Sequence, residues 1–271
     1  MNKLSVIILT NNEEDVIEGC LQSVKWADEV IVVDSGSNDK TKIIAKKFTK
    51  NIYYKKWLGF AKQRNYAMTK AKNDWILMID ADERVSKKLK KEIISVIKKN
   101  LDNIYSIPFK NIFLGKEMQH GGWNPEYHIR LFKKKSARYD ENNHIHETLS
   151  SKSPVRELKS FIYHLSHRSI EENLLKTREY AILESLQMYK KNAPKVTAVN
   201  LFLNTITHFF ERYIRAKGYK DGIEGFIEAT YQAFSQIFII QSMLWERQRG
   251  KTSKEIYKSI DRKIQNDTYE K

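Results

Sequence analysis

The sequence predicts an α/β fold: a mostly parallel sheet flanked by helices, with a helical appendage at the C-terminal end. Three observations carry this. Over residues 1–100 short apolar runs alternate with helical apolar stripes. Polar clusters follow the ends of three of those runs. From Ser169 onward the pattern is helical alone.

Leu4–Leu9 is an unbroken apolar run, as expected of a strand buried on both faces. Asn12 is placed to cap a helix starting at Glu13, whose inner stripe is Val16, Ile17, Cys20, Leu21 and Val24. Val30–Val33 reads as a second strand, followed by a short helix with Ile43, Ile44 and Phe48 inward. Ile52–Tyr54 is a third strand, Phe60–Lys70 a helix, and Trp75–Ile79 another buried strand. Ser86 caps a helix with Leu89, Ile93 and Ile97 inside. Strands alternating with helices in this way build a parallel sheet, and ligands bind at the carboxyl edge of such sheets.

Residues 104–165 change character, with β-like stretches at Tyr105–Phe109, Ile129–Lys133 and Ser160–His164. Helices are then expected over Ile170–Lys190, Val196–Lys217 and Ile223–Arg249. The expected organisation is one α/β domain over 1–165, with halves at about 1–100 and 101–165, and a helical region over 166–271.

Hydrophobic residues make up 41% and charged residues 30%, which excludes a disordered chain. The net charge of +15 favours an anionic partner without choosing among nucleic acid, a phosphorylated substrate and an acidic membrane. Cys20 is the single cysteine and sits on a buried stripe, so it is read as an inert thiol. The N-terminus lacks a secretory pattern, and the long uncharged run Ala229–Trp245 is too polar to span a bilayer. The expected location is cytoplasmic.

The chemistry concentrates at the sheet edge. Asp80-Ala81-Asp82-Glu83 places three carboxylates just after a buried strand, a cluster that calls for a cation; oxygen ligands suit Mg²⁺ or Mn²⁺ shared with a phosphate. An acidic turn capping the next helix is the alternative. In Asp34-Ser35-Gly36-Ser37-Asn38-Asp39, Asp34 could accept hydrogen bonds from a ribose or base, with Asp39 in support. Arg64 could grip a diphosphate bidentately, and Asn65 could fix the turn or the sugar.

These stretches, with Thr10-Asn11-Asn12-Glu13-Glu14 and Gln63-Arg64-Asn65, occur in an order that closely resembles family 2 glycosyltransferases. The resemblance implies a GT-A fold and a nucleotide-sugar donor, bound by the 1–100 half, with the acceptor on the 101–165 half. It implies that Thr10, Asn12 and Glu14 line the nucleotide pocket and that Asp34 contacts the base or ribose. Asp80 would reach the ribose or sugar, and Asp82 would bind the metal. Gly121–Phe132, His146-Glu147 and Gly218–Phe226 resemble the lipopolysaccharide core β-glucosyltransferase-like subgroup, which suggests a UDP-sugar, UDP-glucose above all, and a carbohydrate or glycolipid acceptor. Neither the Glu-Asp pair that supplies the base in many relatives nor the Gln-Arg-Trp motif of polymer synthases is found, which points to single addition.

Inverting transfer needs a base for the acceptor hydroxyl and stabilisation of the departing diphosphate. Glu147 is the expected base, with Glu126 and His146 as alternates. His144, His146, His164 and His167 could form a zinc site, or one of them could complete the donor-metal shell. The stripe Phe226, Tyr231, Phe234, Ile237, Phe238 and Leu244, with Arg247, Arg249 and Lys251 beyond it, is expected to pack in a core or to dock on the anionic inner face of the cell membrane. Other acceptors, such as a lipid phosphate, a peptide or a protein side chain, stay open. A nucleic-acid-binding role, suggested by Tyr53-Tyr54-Lys55-Lys56-Trp57, leaves the acidic edge unexplained, and no nucleic acid partner is expected.

Overall fold

The computed structural model describes residues 2–101, 103–141, 149–151 and 153–269. The chain divides into two compact units, Met1–Arg168 and Ser169–Lys271.

The first unit is built on β1 (Leu4–Thr10), β2 (Glu29–Asp34), β3 (Asn51–Tyr54) and β4 (Trp75–Asp80), with α1 (Ile17–Val24), α2 (Thr41–Ala45) and α3 (Phe60–Lys70) between them. The strands are parallel in the order β3-β2-β1-β4. Every residue of β1 is buried, because the strand is flanked on both edges and covered on both faces. Leu4, Val6 and Ile8 face one core with the α1 stripe Ile17, Cys20, Leu21 and Val24. Ile7 and Leu9 face the other, with Ala61, Ala67 and Met68 of α3.

A short strand β5 (Glu83–Val85) and helix α4 (Lys87–Lys99) follow. Ser86 caps α4 by accepting a hydrogen bond from the Leu89 amide, and Leu89, Ile93 and Ile97 are buried beneath it. β6 (Ile104–Phe113), β7 (Lys116–Glu117) and β8 (Glu126–Lys133) come next, then β9 (Arg138–Tyr139), β10 (Leu149–Ser150), β11 (Val155–Glu157) and β12 (Ile162–His164). β8 enters antiparallel between β4 and β6, and β12 pairs parallel with β6 and antiparallel with β5. The sheet is therefore parallel in its first half and mixed beyond β4.

The helix expected from Glu13 begins later, at Ile17, and Asn12 does not cap it. Asn12 has φ +55° and its side-chain oxygen accepts the Asn38 amide, because the loop after β1 is tied to the loop after β2 instead of to its own helix.

The second unit holds α5 (Ile170–Lys190), α6 (Ala198–Phe210), α7 (Gly222–Gln232), α8 (Ile240–Gln248) and α9 (Ser253–Tyr269). Wider π turns over Glu211–Arg215 and Ala233–Ile239 interrupt what the sequence reads as two unbroken helices. The expected apolar stripe divides between its two alternatives, core packing and an outward face. Leu244 is buried, and the Tyr231 hydroxyl donates to the Asn173 carbonyl at 2.6 Å, so these two pack inward while Phe226, Phe234 and Phe238 are exposed. α9 lies beyond the last helix expected from the sequence.

Candidate active site

Thr10, Asp34 and Asp80 end three neighbouring strands, with Thr10 in register with Asp34 and Leu9 with Asp80. Parallel pairing thus brings residues from three distant segments to one edge. Thr10 is buried, and its hydroxyl has no hydrogen-bond partner among the described residues.

Two loops above this edge are knitted together. The Asp34 carboxylate accepts the Gly36 and Ser37 amides, each at 3.0 Å, and the Ser37 hydroxyl at 2.5 Å. Ser37 Oγ in turn accepts the Asn12 amide at 2.8 Å. Asp39 accepts the Glu14 amide and Glu14 accepts the Lys40 amide. Burial would raise the Asp39 carboxyl, but its bonds from Thr41 and the Glu14 amide lower it. The buried Gln63 donates to Ser35 Oγ and to the Lys55 carbonyl, both at 2.9 Å. Asp34 therefore shapes its own turn, Asn12, Glu14, Ser37 and Asp39 join the two loops, and Ser35 is held by Gln63.

Next to them lies a charge cluster. Asp80 receives Arg64 at 3.2 Å and Arg130 at 3.1 Å on the same oxygen, Oδ2. Burial alone would raise the Asp80 carboxyl, but the two guanidinium groups hold it well below the usual carboxylate range. Arg130 also donates to Glu83 at 2.5 Å, and the other Glu83 oxygen accepts the Asp80 amide. Burial pushes the Glu83 carboxyl up to about 7 despite Arg130, and the Asp80 charge adds to the rise. Asn65, beside Arg64, is spent on the backbone of Tyr139, donating to its carbonyl and accepting its amide.

Asp82, next to Glu83 in the same turn, opens a second set of contacts. Its Oδ2 is 3.5 Å from His164 Nε2, and His164 Nδ1 is 2.9 Å from Asn111 Oδ1. Asn111 Nδ2 donates to Glu126 at 2.7 Å, and His128 Nε2 lies 3.0 Å from the second Glu126 oxygen. Burial would lower His164, but Asp82 raises it to about 8. Burial would raise Glu126, but His128 and Asn111 bring it below its usual value. A line of polar side chains thus runs from Asp82 through His164 and Asn111 to Glu126. Ala81 is buried, and its carbonyl accepts Arg84 Nη1 at 3.0 Å.

Thr10, Asp34, Asp80, Asp82 and Arg64 all gather at this edge. His144, His146 and Glu147 lie outside the described residues. Among the described residues no group of three or more His, Cys, Asp or Glu side chains is set to hold a metal by itself. Four participants were not singled out from the sequence: Arg84, Asn111, Arg130 and the specific partnership of His164 with Asp82. An arginine in an otherwise apolar strand, as Arg130 is in Ile129–Phe132, was the one available signal, since a buried cation needs a carboxylate.

A Rossmann-like sheet that is parallel in its first half and mixed in its second, with acidic residues at its carboxyl edge, is a fold of the GT-A kind. Residues 5–154 match the family described as Glycosyl transferase family 2, and the chain belongs to that family. It is 32% identical over 246 residues to an uncharacterized glycosyltransferase of Rickettsia bellii, covering 86% of this chain and 83% of that one. It is 26% identical over 257 residues to the lipopolysaccharide core biosynthesis glycosyltransferase LpsC of Rhizobium meliloti, covering 90% and 92%. The crystal structure of S. aureus TarS 1-349 in complex with UDP aligns over 92% of each chain at 18% identity and a TM-score of 0.45.

Proposed function

We propose that this chain transfers a hexose from a UDP-sugar, UDP-glucose in the first instance, with inversion, to a hydroxyl of a cell-envelope glycan such as lipopolysaccharide core. The likeness to LpsC over most of both chains supports the acceptor class. The observation that carries the donor half is the Asp82–His164 pair, 3.5 Å apart, formed between the turn after β4 and the end of β12.

That pair fits a divalent cation: one carboxylate and one imidazole supply two ligands, leaving the rest to phosphate oxygens and water. The imidazole favours Mn²⁺ over Mg²⁺. When bound, the cation neutralises charge gathering on the departing diphosphate. The chain's own residues do the remainder. Thr10 and Asp34, with Asn12, Glu14, Ser35 and Asp39, form the wall for base and ribose, and the orphan Thr10 hydroxyl suits a ligand partner. Arg64, helped by Arg130, keeps Asp80 ionised and aimed, so that it can accept from ribose or sugar hydroxyls. Asn65 and Ala81 hold the turns on either side.

For the base we keep Glu147, with His146 beside it. Glu126 is the weaker candidate, because Asn111 and His128 occupy both its oxygens and hold it below its usual pKa. A carboxylate so engaged is a poor proton acceptor. Glu147→Gln should abolish transfer while leaving donor binding intact.

A thermal-shift panel of UDP-, GDP- and CDP-sugars, with and without Mn²⁺, tests the reading. Stabilisation by a UDP-sugar that depends on Mn²⁺ is expected. Stabilisation by none of them would remove the proposal.

A further inference from the structure

The second unit presents an apolar helix face that its own packing leaves uncovered. α6 turns Leu201, Thr205, His208 and Phe209 toward partly covered positions, where it packs on the Ala233–Ile239 turn and α7. Val199, Phe202, Leu203, Ile206 and Phe210 recur at i, i+3, i+4, i+7 and i+11, the spacing of one helix face. All five are exposed, Val199 by 65% and Phe202 by 64%. Asn200, Asn204 and Thr207 border this stripe on one flank, and Phe209 adjoins it on the other. The helix therefore packs inside the unit through a mixed side, and its apolar stripe is left uncovered.

Charge is arranged around it. Ala198–Phe210 contains no Asp, Glu, Lys or Arg. Exposed cations flank both ends, with Lys190, Lys191 and Lys195 before the helix and Arg215, Lys217 and Lys220 after it. Glu211 lies 4.0 Å from Arg215, and Asp221, which follows Lys220, is buried.

A contiguous exposed apolar stripe marks an interaction surface. The helix is only about 20 Å long, short of the roughly 30 Å hydrocarbon core. Among the described residues no helix is long and apolar enough to cross a membrane. The α6 stripe by itself, about 20 by 10 Å, offers a dimer on the order of 200 Å² per copy, so a stable interface of roughly 800 Å² would have to recruit other surfaces as well. A bilayer surface fits both features: the apolar stripe sinks to the headgroup boundary, and the basic ends meet anionic headgroups.

We propose that α6 docks this chain along the surface of an anionic lipid bilayer, through Val199, Phe202, Leu203, Ile206 and Phe210. The inference rests on the second unit alone and stands whether or not the donor chemistry of the first unit is as proposed. A transferase held in this way would meet acceptors that are themselves membrane-bound.

Flotation of the full chain with phosphatidylcholine vesicles, with and without phosphatidylglycerol, tests it. The chain should float with the anionic vesicles and be released progressively by salt. Phe202→Ser with Ile206→Ser should lower vesicle affinity at least about tenfold with an unchanged melting midpoint. Leu203→Ser alone makes the same test if the pair does not fold. Arg215→Gln with Lys217→Gln and Lys220→Gln should weaken the preference for anionic vesicles. The proposal is overturned by absence of flotation, or by full binding in the Phe202/Ile206 variant, which would assign the attraction to the lysine-rich surface at large. It is equally overturned if light scattering shows a lipid-free dimer that this variant dissociates. Thermal shift with UDP-sugars is read in parallel, so failure of docking and failure of donor binding are told apart.

Discussion

Arg130 and Glu83 form a buried ion pair at 2.5 Å that joins β8 to β5, two strands separated in the sheet by β6 and β12. The same guanidinium nitrogen reaches Asp80. One arginine therefore holds the acidic turn against the mixed half of the sheet, and the turn's geometry depends on a residue some fifty positions away in sequence.

This pair has a pH signature. Glu83 ordinarily titrates at 4.5 and is pushed up to about 7 in the fold. A carboxyl raised on folding contributes stability below its unfolded value and loses it as pH rises through its folded value. Measured without divalent cations, Glu83→Gln should therefore gain on the natural protein between about pH 4.5 and 7, by about 1–3 kcal/mol. Urea unfolding at pH 5 and pH 8 reads this directly. A difference between the two proteins that does not change with pH would contradict the assignment. Arg130→Met, which strands Glu83 and leaves Asp80 to Arg64 alone, should cost about 3–5 kcal/mol.

Asn111 is buried and holds His164 by its Nδ1 side, leaving Nε2 toward Asp82. Outer-shell partners of a metal-binding histidine typically govern about 10–100-fold in metal affinity. Asn111→Ala should weaken Mn²⁺ binding in the presence of UDP by that factor, measured by Mn²⁺ titration. Asp82→Asn should go further and remove the Mn²⁺ dependence of donor binding. Unaltered Mn²⁺ affinity in Asn111→Ala would separate His164 from the metal.

The parts of this site that local pattern reveals are the parts that local pattern builds. β1 and β4 are central strands, so their apolar runs are continuous, and the polar residues that end them stand out. Ser86 and the Leu89-Ile93-Ile97 stripe likewise declare α4. Asn111 and His164 stand opposite each other where β12 pairs with β6, and Arg130 reaches Asp80 and Glu83 because β8 inserts antiparallel between β4 and β6. That insertion is a property of the tertiary fold and leaves no periodicity behind. Asn12 misleads for a related reason. It has the chemistry of a cap, yet a neighbouring loop offers its side chain the Asn38 amide before any helix begins. Asp34 carries a second duty that the sequence pattern does not show, its carboxylate accepting the Gly36 and Ser37 amides of its own turn.

Cys20 is fully buried against β4, and burial pushes its thiol well up, with Arg84 opposing. A thiolate is the reactive form, so the native protein should not react with a disulfide reagent at pH 8. Unfolding in denaturant should release the single thiol. Rapid modification of the folded protein would mean that α1 opens readily.

Gly19 tests how the acidic turn is braced. Arg84 donates to the carbonyls of Val16 at 2.5 Å, Ala81 at 3.0 Å and Glu83 at 2.9 Å, tying the start of α1 to the residues on both sides of Asp82. A Cβ at Gly19 would come within 2.7 Å of Arg84 Nε. Alanine favours a helix over glycine by about 1 kcal/mol, which by itself would stabilise α1. Displacing Arg84 sacrifices three charge-assisted bonds, each about 1.5–3 kcal/mol, and only part of that can be regained by rearrangement. The loss should win: Gly19→Ala is expected to be less stable by about 1–3 kcal/mol and to bind the UDP-sugar with Mn²⁺ more weakly. If the clash with Arg84 is the cause, adding Gly19→Ala to Arg84→Ala should cost nothing further and recover the helix gain. A full additive penalty in the double variant would place the cause elsewhere in α1.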